Sequence, residues 1–595
     1  MIDLMTVDVL IVGGGPVGLT ARALLERWGV RVLLVEKRVE LSPFPRSRLV
    51  NVRSMEIFRQ LGLAEAVAAR AFRPEYGRIR FRDTLFEHDF ASAAMIGVNA
   101  PVPESPVIGV VTSQDRLEPT LLAATEATEA TEATEATEAT EATEATVAAD
   151  AQVRFGVEVV GLDEEEGAES VVARLVDRRS GEETRVRARY VLAADGANST
   201  VRELLGIPTA GPGALGHVTT VVFDADLTGW SAGQPAGVYA TAHGSFLPLY
   251  PEGGWAWVVP TPDDPERADW PGLVSRALGP DGHGVRAEVL RVQHWTTTAY
   301  VAERFRHGRI LLAGDAAHAL PPAGGLGMNV GIADVHNLCW KLAGVVRGWA
   351  GAGLLESYEA ERHPVAQLNL RQAVANAQLM FQAQERRREQ LRAGAGASVP
   401  DQVELPWSER YFAQLGLVLG VSYHSGAVLA DDSSTPLRAS HQAPSQASLQ
   451  APSRASRQAV PHAPAEAPPH TPPQLSDPDP DPDYTPTAEP GHRMPHLWLT
   501  PGRSTLDAFG EWFTLLTPAP EEWERRAGSS PVPLRIEALT GEYGDLCGLG
   551  PHGALLVRPD GHIGARWTDR PDGDSAVRDA LAGISRSTRL PTRSA

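Results

Sequence analysis

The stretch from Val7 to Glu36 constrains the fold more tightly than any other part of the chain. VDVLIV (7–12) is a continuous apolar run of the kind that fills a strand buried on both faces. GGGPVG (13–18) then turns the chain, and residues 16–28 place Val17, Leu19, Leu24 and Leu25 at helical spacing. RVLLVE (31–36) is a second buried run. Strand, helix and strand this close in sequence form a βαβ unit with parallel strands. Gly13 permits the tight bend, Gly15 lets backbone N–H groups approach a pyrophosphate, and Gly18 lets helix and strand pack closely. Pro16 and Val17 open the helix at that site. Glu36 ends the second strand where a ribose hydroxyl needs an acceptor, with Lys37 beside it. The pattern predicts a dinucleotide site without distinguishing FAD from NAD.

The chain has 595 residues, room for several domains, and a formal charge of −20. That balance argues against nucleic acid or an anionic membrane surface as a main partner. The two cysteines, Cys339 and Cys547, form no CxxC and no zinc cluster, so no metal site is expected and the chain reads as cytoplasmic and reduced. MIDLMTVDVLIVGGG lacks a basic n-region and reads as a strand rather than a signal peptide. No stretch approaches the roughly 20 apolar residues of a membrane helix.

Residues 51–72 read as helical, 76–112 as short strands and loops, 152–193 and 215–300 as strand-rich, and 331–350 and 354–392 as long helices. From Ala124 to Thr146 the triplet Ala-Thr-Glu repeats. A period of three drifts around a helix, so its seven glutamates leave no apolar face. We read it as an expanded repeat on the surface. Residues 433–490, rich in Ser, Ala, Gln, Pro and Asp, are too polar to fold and read as a disordered insert.

Three further motifs identify the nucleotide. AADGANSTVR (193–202) resembles the DG motif of flavoprotein monooxygenases, with Asp195 as its acid. GRILLAGDAAHALPPAGGLGMNVGIADVHNLCWKLA (308–343) resembles the GD motif and flavin loop of the same family, and LLESYEAERHPVA (354–366) resembles the helix that follows. The family is the single-component, FAD-dependent aromatic hydroxylases, of which p-hydroxybenzoate hydroxylase is the archetype. The resemblance implies that Asp315 accepts a hydrogen bond from the FAD ribityl chain. It implies that the loop from Pro321 wraps the isoalloxazine, through Gly325, Leu326, Gly327, Met328 and Asn329. The helix that begins there would turn its N-terminus to the ring, where reduced flavin carries negative charge. Gln114 in TSQDRLEPTL resembles the glutamine beside the flavin side chain. Arg48 in PRSRLVNVRSME resembles the arginine on the pyrophosphate, and Arg46 is assigned to FAD or to the nicotinamide donor. The chain departs from the family pattern at Leu49, where many relatives carry glycine.

The expected architecture is α/β: a Rossmann-like FAD domain (1–75, 107–200 and 301–395), an inserted β-sheet substrate domain (76–106 and 201–300), and a C-terminal thioredoxin-like domain (400–432 and 491–595). The last rests on PGHRMPHLWL (490–499), STLDAFGEWFTLL (504–516), ALLVRPDGHIGARW (554–567) and LGVSYHSGAVLADD (419–432), which resemble aromatic polyketide oxygenases of the tetracenomycin and anthracycline type. The resemblance implies that NADPH or NADH reduces FAD, that O2 adds to give a C4a-hydroperoxyflavin, and that its distal oxygen passes to an aromatic small-molecule substrate. Pro322 is assigned to the substrate side by its carbonyl. Tyr239, His243, Trp255 and Trp257 are the pocket candidates, and His217, His243, Tyr239 and Tyr250 the candidate bases. GWAWVVP (254–260) looks like a halogenase signature and equally like an alternating strand, and the GGGPVGLT loop favours the strand. A catabolic hydroxylase of monocyclic phenols, a Baeyer–Villiger oxygenase, a halogenase and a flavin-binding scaffold without turnover remain as alternatives. The sequence leaves monomer and homodimer open.

Overall fold

The computed structural model describes residues 5–95, 97–98, 100–124, 152–164, 169–227, 233–279, 285–393, 415–429 and 484–586. The triplet repeat beyond Ala124 and the insert up to residue 483 lie outside the described residues. From Tyr484 the chain is described, with the Tyr484 ring 6.0 Å from the Arg493 guanidinium.

Strands Met5–Val12 and Val32–Glu36 flank helix Pro16–Arg27 as the expected βαβ unit. Gln152–Phe155 extends this sheet beyond the second strand, and Glu183–Ala193 followed by Ile310–Leu312 extends it beyond the first, all in parallel pairing. Register fixes the site. Val12 lies opposite Ala193, and Ala193 opposite Leu312. Three loops distant in sequence (Gly13–Gly15, Asp195–Gly196 and Gly314–Asp315) therefore leave the carboxyl ends of adjacent parallel strands side by side, where open α/β sheets bind ligands. Helix Gly327–Val346 packs across the first helix, with Gly331 and Gly314 leaving room for Val17. The expected helix over 51–72 is two, Val52–Gln60 and Ala64–Ala68, interrupted at Gly62 (φ +76°).

The second sheet has the order 318–319, 288–302, 209–224, 253–260, 244–250, 238–241, 78–81, 91–94, antiparallel except where 238–241 meets 78–81. Side chains alternate across it. Val221, Phe223, Phe246, Trp255 and Trp257 point to the face covered by helix Trp270–Leu278, an element the sequence reading did not contain. Val222, Leu247, Leu249 and Ala256 point the other way.

The C-terminal sheet runs 534–538, 513–517, 554–557, 563–567, with its first pair parallel and the others antiparallel. It binds the first domain through buried charge as well as apolar packing. Arg558 donates to both oxygens of Glu361 (2.7 and 2.9 Å), Lys341 donates to Glu361 (2.7 Å), and Trp340 meets Phe513 edge-on at 5.6 Å.

Candidate active site

The glycine turn is shaped by contacts no other residue permits. Gly13 has φ +111°, and a Cβ there would overlap the Ala194 carbonyl. A Cβ on Gly18 would overlap the Gly13 carbonyl, whereas one on Gly15 would meet nothing within 4 Å. Gly15 is thus the open position, at the N-terminus of a helix that begins with Pro16 and has no side-chain cap. Glu36 is held in the same corner, accepting from Gly14 N (2.8 Å) and Arg38 N (2.9 Å).

The neighbouring loop brings Asp315 into the cleft. Gly314 has φ +60° and a Cβ there would stand 2.9 Å from Val17, so this turn touches the first helix. A Cβ on Gly327 would lie 3.8 Å from Asp315 Oδ1, which sets the start of helix Gly327–Val346 beside the same carboxylate. That helix has no side-chain cap either, so Gly327 and Met328 offer free N–H groups there. Asp315 is exposed; its backbone carbonyl accepts from the Tyr300 hydroxyl (3.0 Å), but its carboxylate accepts no hydrogen bond among the described residues. The protein crowding it on its other sides raises its pKa, opposed by the charges of His318 and Arg46.

Two of the loop residues expected at the cofactor have side chains engaged within the protein. Leu326 is buried among Val330, Ala373 and Leu417. Asn329 donates to the carbonyls of Leu49 (2.8 Å) and Gly325 (2.6 Å) and accepts from Asn51 N (2.9 Å). It is a stitch between the loop and strand Leu49–Val50, with its polar atoms used internally. Pro322 is exposed on the loop.

Asp195 accepts from Ser199 Oγ (2.6 Å) and Val201 N (3.1 Å), capping the short helix Thr200–Leu204. Burial raises its pKa and the charge of Lys37, among other groups, opposes this. The sequence reading missed Arg202, although it lies within the quoted DG motif. Arg202 donates to Ala316 O (2.9 Å) and Ala197 O (3.0 Å), tying together the loops that carry Asp195 and Asp315. Tyr300, also missed, donates to Ala197 O (2.6 Å).

The two arginines turn to different sides. Arg48 is buried and donates to Gly237 O (2.8 Å) and Pro248 O, which pins the FAD-domain chain to the substrate sheet and turns the guanidinium away from the glycine turn. Burial lowers its pKa to about 9. Arg46 instead stands in the field of Glu118, Asp315 and Glu36, the carboxylates of the cleft, with Arg38 and burial opposing its charge. Gln114 donates to Glu118 (2.7 Å), which also accepts from Ser42 N (3.3 Å). Burial pushes Glu118 up to about 7.

On the substrate side the structure corrects the candidates. Tyr239, Trp255 and Trp257 pack against helix Trp270–Leu278, on the sheet face away from the first domain. Tyr239 is pushed up to about 12 by burial and donates to Gln234 O (2.9 Å). His243 is exposed in a hairpin, where its carbonyl accepts from Trp257 (2.9 Å). His217 is exposed and shares a 3.1 Å hydrogen bond with Thr296. The opposite face carries Thr220, Val222, Ala256 and Trp295, with Trp295 donating to Thr220 (3.0 Å). Arg291 and Tyr250 reach from this side to the first domain, at Pro43 O (2.7 Å) and Asp115 (2.6 Å). The signal was present in the period-2 alternation, since locating Trp255 and Trp257 on one face locates Ala256 on the other.

Residues 6–373 match the family model described as an FAD binding domain, and residues 487–585 match the one described as the C-terminal domain of aromatic-ring hydroxylases. Among curated proteins, the chain is 33% identical to aklavinone 12-hydroxylase DnrF of Streptomyces peucetius, over 89% of this chain and 95% of that one. It is 33% identical to 4-methyl-5-nitrocatechol 5-monooxygenase of a Burkholderia species, over 97% of each. Among solved structures, the flavin-dependent monooxygenase PieE in complex with FAD and substrate superposes with a TM-score of 0.79 at 29% identity, covering 98% of this chain and 99% of that one. The open corner at Gly15, the carboxylate of Glu36 and the unpartnered carboxylate of Asp315 fit the pyrophosphate, ribose and ribityl groups of FAD. The chain belongs to the FAD-binding aromatic-ring hydroxylases and is a flavin monooxygenase.

Proposed function

We propose that the chain hydroxylates a polycyclic aromatic polyketide in secondary metabolism, as a single-component enzyme consuming a reduced nicotinamide dinucleotide and O2. One observation carries the reading. Asp315, a carboxylate without a protein partner, stands at the head of the uncapped helix Gly327–Val346, and the inner face of a large antiparallel sheet is turned toward the same domain. The likeness to aklavinone 12-hydroxylase over nearly the whole chain, C-terminal domain included, supports the substrate class.

Bound FAD supplies the oxygen-transfer chemistry. One NAD(P)H and one proton are consumed, one oxygen atom of O2 replaces a ring hydrogen as hydroxyl, and the other leaves as water. The chain's own residues do the rest. Glu36 accepts from the ribose and Asp315 from the ribityl chain. The N–H groups around Gly15, together with Arg46, meet the pyrophosphate. The N–H groups of Gly327 and Met328 favour negative charge on the ring beside them. Asp195, Lys37 and Gln114 would help to hold FAD, and Pro322 would offer its carbonyl to the substrate. Tyr250 holds its proton, since burial and the hydrogen bond to Asp115 push it up to about 12. It therefore positions groups at neutral pH rather than removing a proton.

We read the C-terminal domain as thioredoxin-like. Its strand order and pairing support this, and Thr517-Pro518-Ala519-Pro520 occupies the turn from its first strand into its first helix. That turn has no cysteine, so the domain does structural work rather than dithiol exchange.

A smaller substrate is the second reading, favoured by the equal identity to the nitrocatechol monooxygenase. Steady-state NAD(P)H oxidation with polycyclic phenols and with monocyclic catechols tests both. We expect tight coupling and the higher kcat/KM for polycyclic rings. Preference for catechols supports the second reading, and turnover stimulated by neither class contradicts both.

A further inference from the structure

The two ends of the flavin loop converge on one buried carboxylate. Asp334, on helix Gly327–Val346, accepts from Gly314 N (3.1 Å) immediately before Asp315, and lies 2.6 Å from His318 Nε2 just beyond it. Its other oxygen accepts from Arg362 Nε (2.7 Å). Arg362 also donates to Val330 O (3.1 Å) in the first turn of that helix, the far end of the loop. One guanidinium thus braces both sides of the flavin loop. Asp334, Arg362 and His318 are all at most 2% exposed, so none of these bonds is shared with bulk water.

The remaining arm of Arg362 leaves the domain. Nη1 donates to the hydroxyl of Tyr423 (3.1 Å), in the segment that leads toward the C-terminal domain. Tyr423 is joined to that domain through its N–H on Gly491 O (2.9 Å) and its ring 4.1 Å from that of His562. Arg558 of the same domain stands 5.3 Å from the Tyr423 ring. A continuous buried path therefore runs from the C-terminal domain through Tyr423, Arg362 and Asp334 to the backbone of the turn that carries Asp315. A different contact between these domains serves as the comparison. Arg59 and Asp507 pair at 2.7 Å on a partly exposed edge, with no bond to the loop.

We propose that Tyr423 is a positioning residue for the cofactor: it delivers the C-terminal domain's hold on Arg362 and Asp334, and so fixes the Gly314–Asp315 turn against the flavin. This gives a domain without a CxxC pair a part in the monooxygenase. The inference rests on the reading that Asp315 holds FAD. Removing the Tyr423 hydroxyl leaves a buried guanidinium arm unsatisfied while preserving the ring's packing.

The test is FAD titration of apoprotein, with the visible flavin spectrum and thermal melting of the apo form, on Tyr423→Phe, His562→Gln, Asp507→Ala and Asp315→Ala. Tyr423→Phe is expected to weaken FAD binding roughly five- to thirtyfold and alter the flavin band, and His562→Gln to move both in the same direction. Asp507→Ala should lower the apo melting temperature with FAD affinity unchanged. Unchanged FAD affinity and spectrum in both Tyr423→Phe and His562→Gln, beside a clear loss in Asp315→Ala, overturns the inference. Asp315→Ala with undiminished affinity instead overturns the site assignment on which it rests.

Discussion

Leu49 and Gly325 stand in direct opposition across the flavin loop: a Cβ placed on Gly325 would lie 2.7 Å from Leu49 Cδ2. Gly325 also has φ +65°, which a side chain adopts only at a cost. Gly325→Ala should therefore weaken FAD binding at least about tenfold, combining backbone strain of ~1 kcal/mol with displacement of the loop. In the double variant with Leu49→Gly, which also takes away the Leu49 Cβ that would stand 2.8 Å from the added one, the steric part is relieved and the conformational part stays, so the two effects should be non-additive. FAD titration of the four proteins of the cycle measures this.

Leu49→Gly removes the side chain that presses on the loop at Gly325, and we expect a changed rate of flavin reduction by NAD(P)H in anaerobic stopped flow. Identical rates in the two proteins would remove Leu49 from any role in loop motion.

Glu118 makes stability depend on pH. Burial raises its folded-state pKa from an ordinary 4.5 to about 7. The folded chain thus binds this proton more tightly than the unfolded chain, so its contribution is greatest below pH 4.5 and is lost as pH rises through 7. Glu118→Gln keeps an acceptor for Gln114 and abolishes the charge. It should stabilise the apoprotein by about 1–3 kcal/mol at pH 8 and by much less at pH 5. Equal shifts in melting temperature at the two values would contradict this origin.

Arg202 joins the two acid loops through their carbonyls, and its side chain is nearly buried. Arg202→Ala takes the arginine donor from the Ala316 carbonyl, while Ala197 O keeps the Tyr300 hydroxyl, and should cost about 1–3 kcal/mol, together with much of the FAD affinity. Lysine lacks the fork that reaches both carbonyls, so Arg202→Lys should recover little of either. Denaturant unfolding and flavin content of the purified variants test the two effects separately.

The two faces of the substrate sheet predict opposite phenotypes. Trp255→Phe opens space in a core sealed by helix Trp270–Leu278, and should lower the melting temperature with KM for the aromatic substrate unchanged. Trp295→Ala, on the inner face, should raise that KM with the smaller loss of stability. Steady-state kinetics beside thermal melts distinguish the two outcomes.

Much of this was legible in the sequence because the FAD loops are governed by local rules. A glycine turn between a buried strand and a helix announces itself, and so does an acid at the end of an apolar strand, as at Glu36 and Asp315. What was not legible depends on partners far along the chain. Arg46 and Arg48 are two residues apart in one loop, and only the carbonyls of Gly237 and Pro248 decide which one turns from the cleft. Leu326 and Asn329 sit in a motif that resembles a flavin contact, yet long-range packing and the Leu49 carbonyl claim them. The aromatic residues of the second sheet mark a core as readily as a pocket, and the covering helix Trp270–Leu278 selects the core. Asp334 and Arg362 lie 28 residues apart in the sequence, and only folding brings them to 2.7 Å.

The most direct test of the central claim is turnover of the purified, FAD-loaded protein with NADPH, a polycyclic phenol and isotopically heavy dioxygen, followed by mass spectrometry. The account predicts substrate-stimulated NADPH oxidation and a product carrying one heavy oxygen atom per NADPH consumed. A product whose added oxygen comes from water, or a bound flavin that NADPH never reduces with substrate present, would contradict it.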